Sequence, residues 1–382
     1  MTTIYLVRHA EAEGNIYKRC QGQFNSNLTP FGLSQLPKLA ERFAGIDVDA
    51  VYSSDLKRAF LTAKSIADIK GLDVTTSKNL REINMGILED TCWANLTKKH
   101  PELEYAWNKT PENCEIPDGE SPTTVANRLF DEICKIASEN DGKSIVIASH
   151  GAGIRYLLYK IKGLALNDLK AIGWCDNTAV AKLVYKNGKL TDEYINDNSH
   201  VEGMKHPFES KKWYEMTEEE LAMGVNLWFR PIEIDTEFDI LCDYIKEFHQ
   251  IAYGTSEKFN REEYLGKCKR SLEIDPNCMC FAMLQDNIIG VASADVEIST
   301  ENIGYIGNII VNDRFRGLGL TPQLIGELSS IYRKMGKDTL VARVAKENYR
   351  AQGFYKKVGF VQGENFEKDG FEHIIMALDL RV

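Results

Sequence analysis

The chain has 382 residues, more than one ordinary hydrophobic core accommodates, and this length indicates two or three domains. Hydrophobic residues make up 43% and charged residues 27%, as in globular proteins, and no apolar run reaches the roughly 18 residues of a membrane helix. The net charge of −10 disfavours a nucleic-acid partner but allows anionic small molecules in a locally positive pocket. The nine cysteines lack metal-ligand spacing, so we expect reduced thiols, a cytoplasmic location and no metal.

The first half of the chain alternates strand-like and helical patterns. Thr29 is a predicted N-cap with Pro30 at the first helical position, and Pro37 is expected to kink the helix that follows. This alternation predicts an α/β sheet covered by helices on both faces, a three-layer αβα fold. The predicted strands are Thr3–Val7, Ala50–Ser53, Ser144–Ala148, Ala179–Tyr185 and, after the Asn187-Gly188 turn, Lys189–Ile195.

A second α/β alternation begins after a stretch with weak periodicity. We therefore predict a first domain over 1–205, a linker over 206–226 and a second domain over 227–382. Thr217 and Glu220 have capping-box spacing, which predicts a short helix inside the linker. The second domain is predicted to contain helices at Phe238–His249, Arg261–Ile274 and from about Leu320 and Asn348, strands at Phe281–Leu284, Ile288–Val296, Ile303–Val311 and Thr339–Val344, and two closing strands.

Two histidines follow predicted strands of the first half. Arg8 and His9 come directly after the first strand, and His150 follows the strand that ends at Ala148. Ligands of open α/β sheets bind at the carboxyl ends of strands. Imidazole can attack phosphorus, and guanidinium groups such as that of Arg58 bind phosphate oxygens, while Glu82 supplies a carboxylic acid. The arrangement predicts phosphoryl transfer.

These segments, together with Gln21-Gly22, Leu28-Thr29-Pro30 and Gly119-Glu120-Ser121, resemble the histidine phosphatase (phosphoglycerate-mutase-like) superfamily over about residues 1–205. The resemblance implies that His9 is the phosphorylated nucleophile and Glu82 the general acid and base. It also implies a phosphate-binding set of Arg8, Arg58 and His150. Asn15 and Gln21 are weaker candidates for phosphate contacts, with a structural role as the alternative.

Three positions depart from the family pattern without removing a catalytic group. Ala10 stands where glycine is usual, Ala12 where threonine is frequent and Gly14 where tryptophan is frequent. They put the usual sugar-phosphate specificity in doubt. The interval between Glu82 and His150 is short compared with that of cofactor-dependent mutases, which favours hydrolysis over mutase chemistry.

A glycine-containing turn follows the predicted strand Ile303–Val311 and leads into a helix. Glycines at such a turn let backbone amides approach a phosphate closely. Together with Asn348, Tyr355 and Val358-Gly359-Phe360, this turn resembles the GNAT N-acetyltransferase superfamily over about residues 227–380. Thr321 departs from the family pattern under one of two possible registers. The implied pyrophosphate-binding residues are Arg316, Gly317, Leu318, Gly319, Leu320 and Thr321.

The same resemblance implies acetyl-CoA as cofactor, with Asn348 on its pantetheine arm and Tyr355 as the proton donor to the departing thiolate. Asp295 and Glu297 lie near the expected amine site, but neither is distinguished as a base. The sequence therefore predicts a bifunctional phosphatase and N-acetyltransferase acting on a small phosphate ester and a small amine. The alternatives are a phosphate mutase in the first domain, or a fusion in which one domain binds or senses without turnover.

Overall fold

The computed structural model describes residues 1–168, 171–208, 226–257, 259–368 and 370–381. The first half forms a sheet in the order β3-β2-β4-β1-β5-β6, in which β1 to β4 pair in parallel and β5 and β6 add antiparallel strands at one edge. Its strands are β1 (Thr2–Arg8), β2 (Ala50–Ser53), β3 (Val74–Thr76), β4 (Ser144–Ser149), β5 (Val180–Lys186) and β6 (Lys189–Asp197). Its helices are α1 (Glu13–Tyr17), α2 (Pro30–Phe43), α3 (Lys57–Lys70), α4 (Trp93–Lys99), α5 (Pro101–Lys109), α6 (Pro122–Glu139) and α7 (Gly151–Lys162).

Side chains alternate across this sheet and enter two separate cores. Ile4 and Leu6 of β1 pack on the same side as residues of α6 and α7. Val7 lies on the opposite side with Leu39 of α2 and Ile66 of α3. This period of two places helices on both faces and confirms the predicted three-layer arrangement. Thr29 caps α2 as expected, accepting a hydrogen bond from the Gly32 amide at 2.9 Å, and the helix continues through Pro37 to Phe43.

The second half forms its own sheet, with strand order β12-β13-β11-β10-β9-β8-β7. Pairing is antiparallel except between β10 and β11, whose parallel contact covers only Ile303–Tyr305 of β10. The strands therefore diverge towards the end of β10. The strands are β7 (Trp228–Pro231), β8 (Met279–Leu284), β9 (Asn287–Ala294), β10 (Ile303–Val311), β11 (Thr339–Ala345), β12 (Val361–Lys368) and β13 (Phe371–Asp379). The helices are α8 (Ile234–Tyr253), α9 (Arg261–Ile274), α10 (Thr321–Lys334) and α11 (Tyr349–Lys357).

The two halves pack against each other through α1 and α10. Ile16 and Tyr17 of α1 belong to the same buried cluster as the core of the second sheet. Tyr17 lies against Gly326, where a Cβ atom would come within 2.5 Å of the tyrosine Cβ. The predicted linker is described only at 206–208 and at 226, and its predicted helix at Thr217 and Glu220 lies outside the described residues. In the described part of the chain, no helix is long and apolar enough to cross a membrane.

Gly326→Ala is expected to destabilise the protein by about 1–3 kcal/mol, although alanine favours helices, because the added methyl group overpacks the contact with Tyr17. Gly353→Ala is the matched control, since Gly353 lies in α11 and a Cβ there meets no atom within 4 Å. It should be neutral or slightly stabilising. Urea unfolding measures both, and equal unfolding free energies would contradict the close contact.

Candidate active sites

Parallel pairing of β1 and β4 brings the two histidines together. Arg8 is registered opposite Ser149, so the next residue of each strand, His9 and His150, emerges at the same edge of the sheet. The amide of His9 donates to the Ser149 carbonyl at 3.0 Å. The ring centroids of the two histidines are 5.2 Å apart. Both side chains are buried, with His9 3% and His150 0% exposed.

Short contacts fix the orientation of His9. Its Nδ1 lies 2.7 Å from its neighbour Ala10's carbonyl oxygen, a geometry that suits an Nδ1–H donor and leaves the lone pair on Nε2. The Asn177 side-chain amide donates to the His9 carbonyl at 3.0 Å, and the Thr178 amide donates to the Arg8 carbonyl at 3.1 Å. Sequence reasoning missed Asn177 and Thr178. The only signal was the polar turn before β5.

Two arginines supply positive charge to this site. Arg58, at the start of α3, is 1% exposed and donates to the carbonyls of Phe24 and Gly22, both at 2.7 Å. Burial lowers the pKa of Arg58 to about 10, and the charge of Arg8 acts in the same direction. Arg8 is half-buried and donates to the Cys175 carbonyl. Two cations held so close together favour an anionic ligand.

Buried donors at the site point to the same ligand. Among the described residues, neither ring nitrogen of His150 has a hydrogen-bond partner, and Nε of Arg58 has none either. Buried polar groups are normally paired, so unpaired ones beside two histidines and two arginines mark a place where a ligand is expected. Phosphate oxygens are acceptors that match both a guanidinium and an imidazole N–H.

Glu82 is hydrogen-bonded to the start of α7, whose N-cap residue is His150. Its carboxylate accepts hydrogen bonds from the amides of Ala152 at 3.0 Å and Gly153 at 2.7 Å. Arg128 donates to the main-chain carbonyl of Glu82 at 3.1 Å, which fixes the backbone behind the carboxylate. The carboxylate is thus held at the N-terminus of α7 by amides two and three residues after the second histidine.

Burial and neighbouring charge both keep the histidines neutral. Burial lowers the pKa of His9 well below its ordinary value, and the nearby cations Arg58 and Arg8 lower it further. Burial, the Arg58 charge and the neighbouring imidazole lower the pKa of His150 in the same way. A neutral imidazole is the form that can act as a nucleophile.

Asn15 and Gln21 make protein contacts in the structure. The carbonyl oxygen of Asn15 accepts from the Ala12 amide at 2.9 Å and so closes the first turn of α1. The carbonyl oxygen of Gln21 accepts from the Ser26 hydroxyl at 2.5 Å. Gln21 also packs on Gly14, where a Cβ would come within 2.1 Å of its Cγ. This contact explains why a bulky residue does not fit at position 14. A phosphate contact by either residue stays a prediction.

The second site lies where β10 ends and α10 begins. Gly317 and Gly319 have φ angles of 83° and 72°, the left-handed region that glycine adopts without strain. Leu320, the N-cap residue of α10, provides no side-chain hydrogen bond to the first amides of this helix. A helix N-terminus of this kind suits an anionic group such as a pyrophosphate. Arg316 instead braces the loop, because its guanidinium donates to the Val311 carbonyl and pairs with Glu247.

Asn348 and Tyr355 lie on the neighbouring helix. The carbonyl oxygen of Asn348 accepts from the Ala351 amide at 3.0 Å and caps α11, leaving its NH₂ group as the part suited to a ligand. Tyr355 is 8% exposed between Phe354 and Phe360. Burial raises the pKa of its phenol, which therefore stays protonated at neutral pH.

Neither candidate base of the second site is free of cations. Asp295 is 3% exposed and lies 2.9 Å from the Lys267 ammonium and 2.8 Å from the Arg343 guanidinium. Glu297 pairs with Arg270 at 3.2 Å. The described residues contain no cluster of three or more histidine, cysteine or acidic side chains arranged to hold a metal ion.

Both halves match known families. The profile of the "Histidine phosphatase superfamily (branch 1)" matches residues 4–198, and that of the "Acetyltransferase (GNAT) family" matches residues 238–360. The second match implies the use of acetyl-CoA.

Individual proteins resemble the first half. "Probable phosphoglycerate mutase GpmB" of Yersinia pestis (strain Pestoides F) is 36% identical over 164 residues, covering 43% of this chain and 76% of that protein. The same name and the same figures apply to a protein of Yersinia pseudotuberculosis serotype O:1b. The solved structure of Bacillus stearothermophilus YhfR is 26% identical, with a TM-score of 0.51, and covers 53% of this chain and 100% of that one.

His9 and His150 are expected to remain neutral at pH 6.5 and to take up a proton only at lower pH, because burial and two arginines disfavour a further cation. His206 gives the contrast. Burial acts to lower its pKa, but the hydrogen bond to Glu11 and that carboxylate's charge together raise it. NMR titration of the imidazole carbons, assigned with single His→Asn variants, measures all three. A midpoint of His9 at or above 6.5 would contradict this electrostatic description.

Proposed function

Because the chain belongs to the histidine phosphatase superfamily and carries a GNAT acetyltransferase domain, we propose that it is a bifunctional enzyme. The first domain hydrolyses phosphomonoesters through a phosphohistidine, and the second transfers an acetyl group from acetyl-CoA to a small amine. The observation that best supports the first activity is that His9 and His150 lie side by side, close to the charges of Arg8 and Arg58.

In the proposed hydrolysis, Nε2 of His9 attacks phosphorus and the ester oxygen leaves with a proton from Glu82. The Glu82 carboxylate then removes a proton from water, which attacks the phosphohistidine, breaks the P–N bond and releases phosphate. Arg8, Arg58 and His150 bind the phosphoryl oxygens throughout. Phosphoryl transfer depends mainly on positioning and charge stabilisation, and these three side chains provide both.

A phosphate mutase is the second candidate for the first domain, favoured by the name of the Yersinia relatives. A mutase returns the phosphoryl group to another hydroxyl of the substrate instead of to water. We place hydrolysis first because the interval between Glu82 and His150 is short.

Acetyl-CoA supplies the second domain with an acetyl group activated as a thioester. The amides of residues 316–321 would bind its pyrophosphate, and Asn348 its pantetheine arm. Tyr355 would hold the proton that neutralises the departing thiolate. The absence of a capping side chain at the start of α10 supports this assignment.

His9→Ala is expected to lower phosphomonoester hydrolysis on the order of a thousandfold or more, because the nucleophile is removed. In the wild type, acid quench during turnover should lose a protein-bound phosphate that alkaline quench preserves, as a phosphohistidine requires. His100→Ala is the control, a histidine outside the site. Full activity in His9→Ala would rule out this mechanism. Isomerisation of a phosphate ester without release of phosphate would identify a mutase instead.

Gly319→Glu is expected to abolish acetyl-CoA binding, which we expect in the range of about 1–100 μM for the wild type. A carboxylate there would repel the pyrophosphate and strain a backbone with a φ of 72°. Gly336→Glu is a matched control, because Gly336 has the same φ of 72° just beyond the other end of α10. Calorimetry compares the two variants. Equal affinities for acetyl-CoA would show that the loop is only a structural turn.

A further inference from the structure

The orientation of Arg58 depends on the turn formed by residues 21–26 of the first domain. Both of its Nη atoms donate to carbonyls of this turn, those of Gly22 and Phe24. The turn is tight, since the Phe24 amide donates to the Gln21 carbonyl at 2.8 Å and the Ser26 amide to the Phe24 carbonyl at 3.0 Å. A shift of this turn would therefore move the guanidinium that is expected to bind phosphate.

Arg333, a residue of the second domain, packs on the Phe24 side chain of this turn. The guanidinium of Arg333, in the last turn of α10, lies 5.3 Å from the centre of the Phe24 ring. Its Nη2 is 2.8 Å from the Glu13 carboxylate, and its Nε donates to the Leu380 carbonyl at 3.0 Å. The side chains of Arg333 and Glu13 are only 10% and 7% exposed. These three contacts in a largely buried place restrict the conformations of the Arg333 guanidinium.

The rest of α10 is docked against the same segment of the first domain. Glu327 pairs with Arg19 at 2.7 Å, and Arg19 also pairs with Asp90 at 2.9 Å. Gly326, the residue before Glu327 and about two turns before Arg333, contacts Tyr17. Arg333 is therefore held at Phe24 from both its own helix and the opposing one.

We propose that Arg333 is a positioning residue of the phosphatase site, supplied by the acetyltransferase domain: it holds the turn 21–26 where its carbonyls orient Arg58. This inference rests on the proposed phosphatase function. Two guanidinium groups then contribute to the site in different ways. That of Arg58 contacts the phosphoryl group, and that of Arg333 holds the turn whose carbonyls orient Arg58.

The test removes the buried charges without leaving one of them alone. The double variant Glu13→Gln, Arg333→Gln replaces the ion pair by two neutral amides. Its affinity for inorganic phosphate, measured by calorimetry, is expected to fall about tenfold, and kcat/KM for a phosphomonoester at least as much. Affinity for acetyl-CoA should stay within twofold. Lys334→Gln, an exposed neighbour on the same helix, is the control and should leave both phosphate affinity and kcat/KM within twofold.

A positioning role differs from a merely structural one in its dependence on Arg58. In an Arg58→Gln background, the double substitution should produce no further loss of phosphate affinity, because its effect passes through the missing guanidinium. Equal losses with and without Arg58 would overturn the proposal. So would a folded double variant whose phosphate affinity and kcat/KM stay within twofold of the wild type.

Phe24→Leu tests the positioning role of Arg333 independently if the double variant does not fold. It removes the aromatic face under Arg333 while leaving the Glu13 pair in place, and phosphate affinity should fall several-fold. Unchanged phosphate affinity in this variant would overturn the proposal. A wild type that binds phosphate but hydrolyses no ester would refute the proposed activity alone, since positioning is still measured by phosphate affinity. A wild type that binds no phosphate would refute both.

Discussion

The parallel register between β1 and β4 is the constraint on which the first site depends. It places Arg8 level with Ser149 and so forces His9 and His150 to leave the sheet side by side. Both strands are buried on two faces, and a slip of one residue would exchange the residues that face the two cores. The same burial keeps the histidines neutral beside two arginines. Packing and reactivity are therefore set by one alignment of two strands.

Helix α10 relates the two halves in a similar way. Its first turn follows the glycine loop of the acetyltransferase domain, and its last turn contributes Arg333 to the contact with Phe24. Between these ends, Gly326 admits Tyr17 into the core of the second sheet. The two sheets are separate, yet the cores beside them are not independent of each other.

Most of the fold could be predicted from the sequence, because buried strands and capped helices leave periodic patterns. Ala50–Ser53, Arg261–Ile274 and Ile303–Val311 have the predicted bounds. Strand β3 was missed, since three residues at a half-exposed edge carry no readable pattern. The histidines and arginines were identified from motifs. Asn177, Thr178 and Arg333 were not, because their contacts join residues far apart in the sequence and leave no local pattern.

The Glu82 carboxylate is bonded to the first amides of α7, whose N-cap residue is His150, and under the proposed function this affects substrate selectivity. Because these hydrogen bonds hold the carboxylate close to the imidazole, a phosphate bound at His150 would place the bridging oxygen of any ester near the same acid. Such an arrangement would contact the phosphate and its bridging oxygen but not the rest of the alcohol. Under the proposed function, discrimination among alcohols would then depend on residues outside α7. Those residues can change in evolution while the arrangement of Glu82 and His150 stays the same.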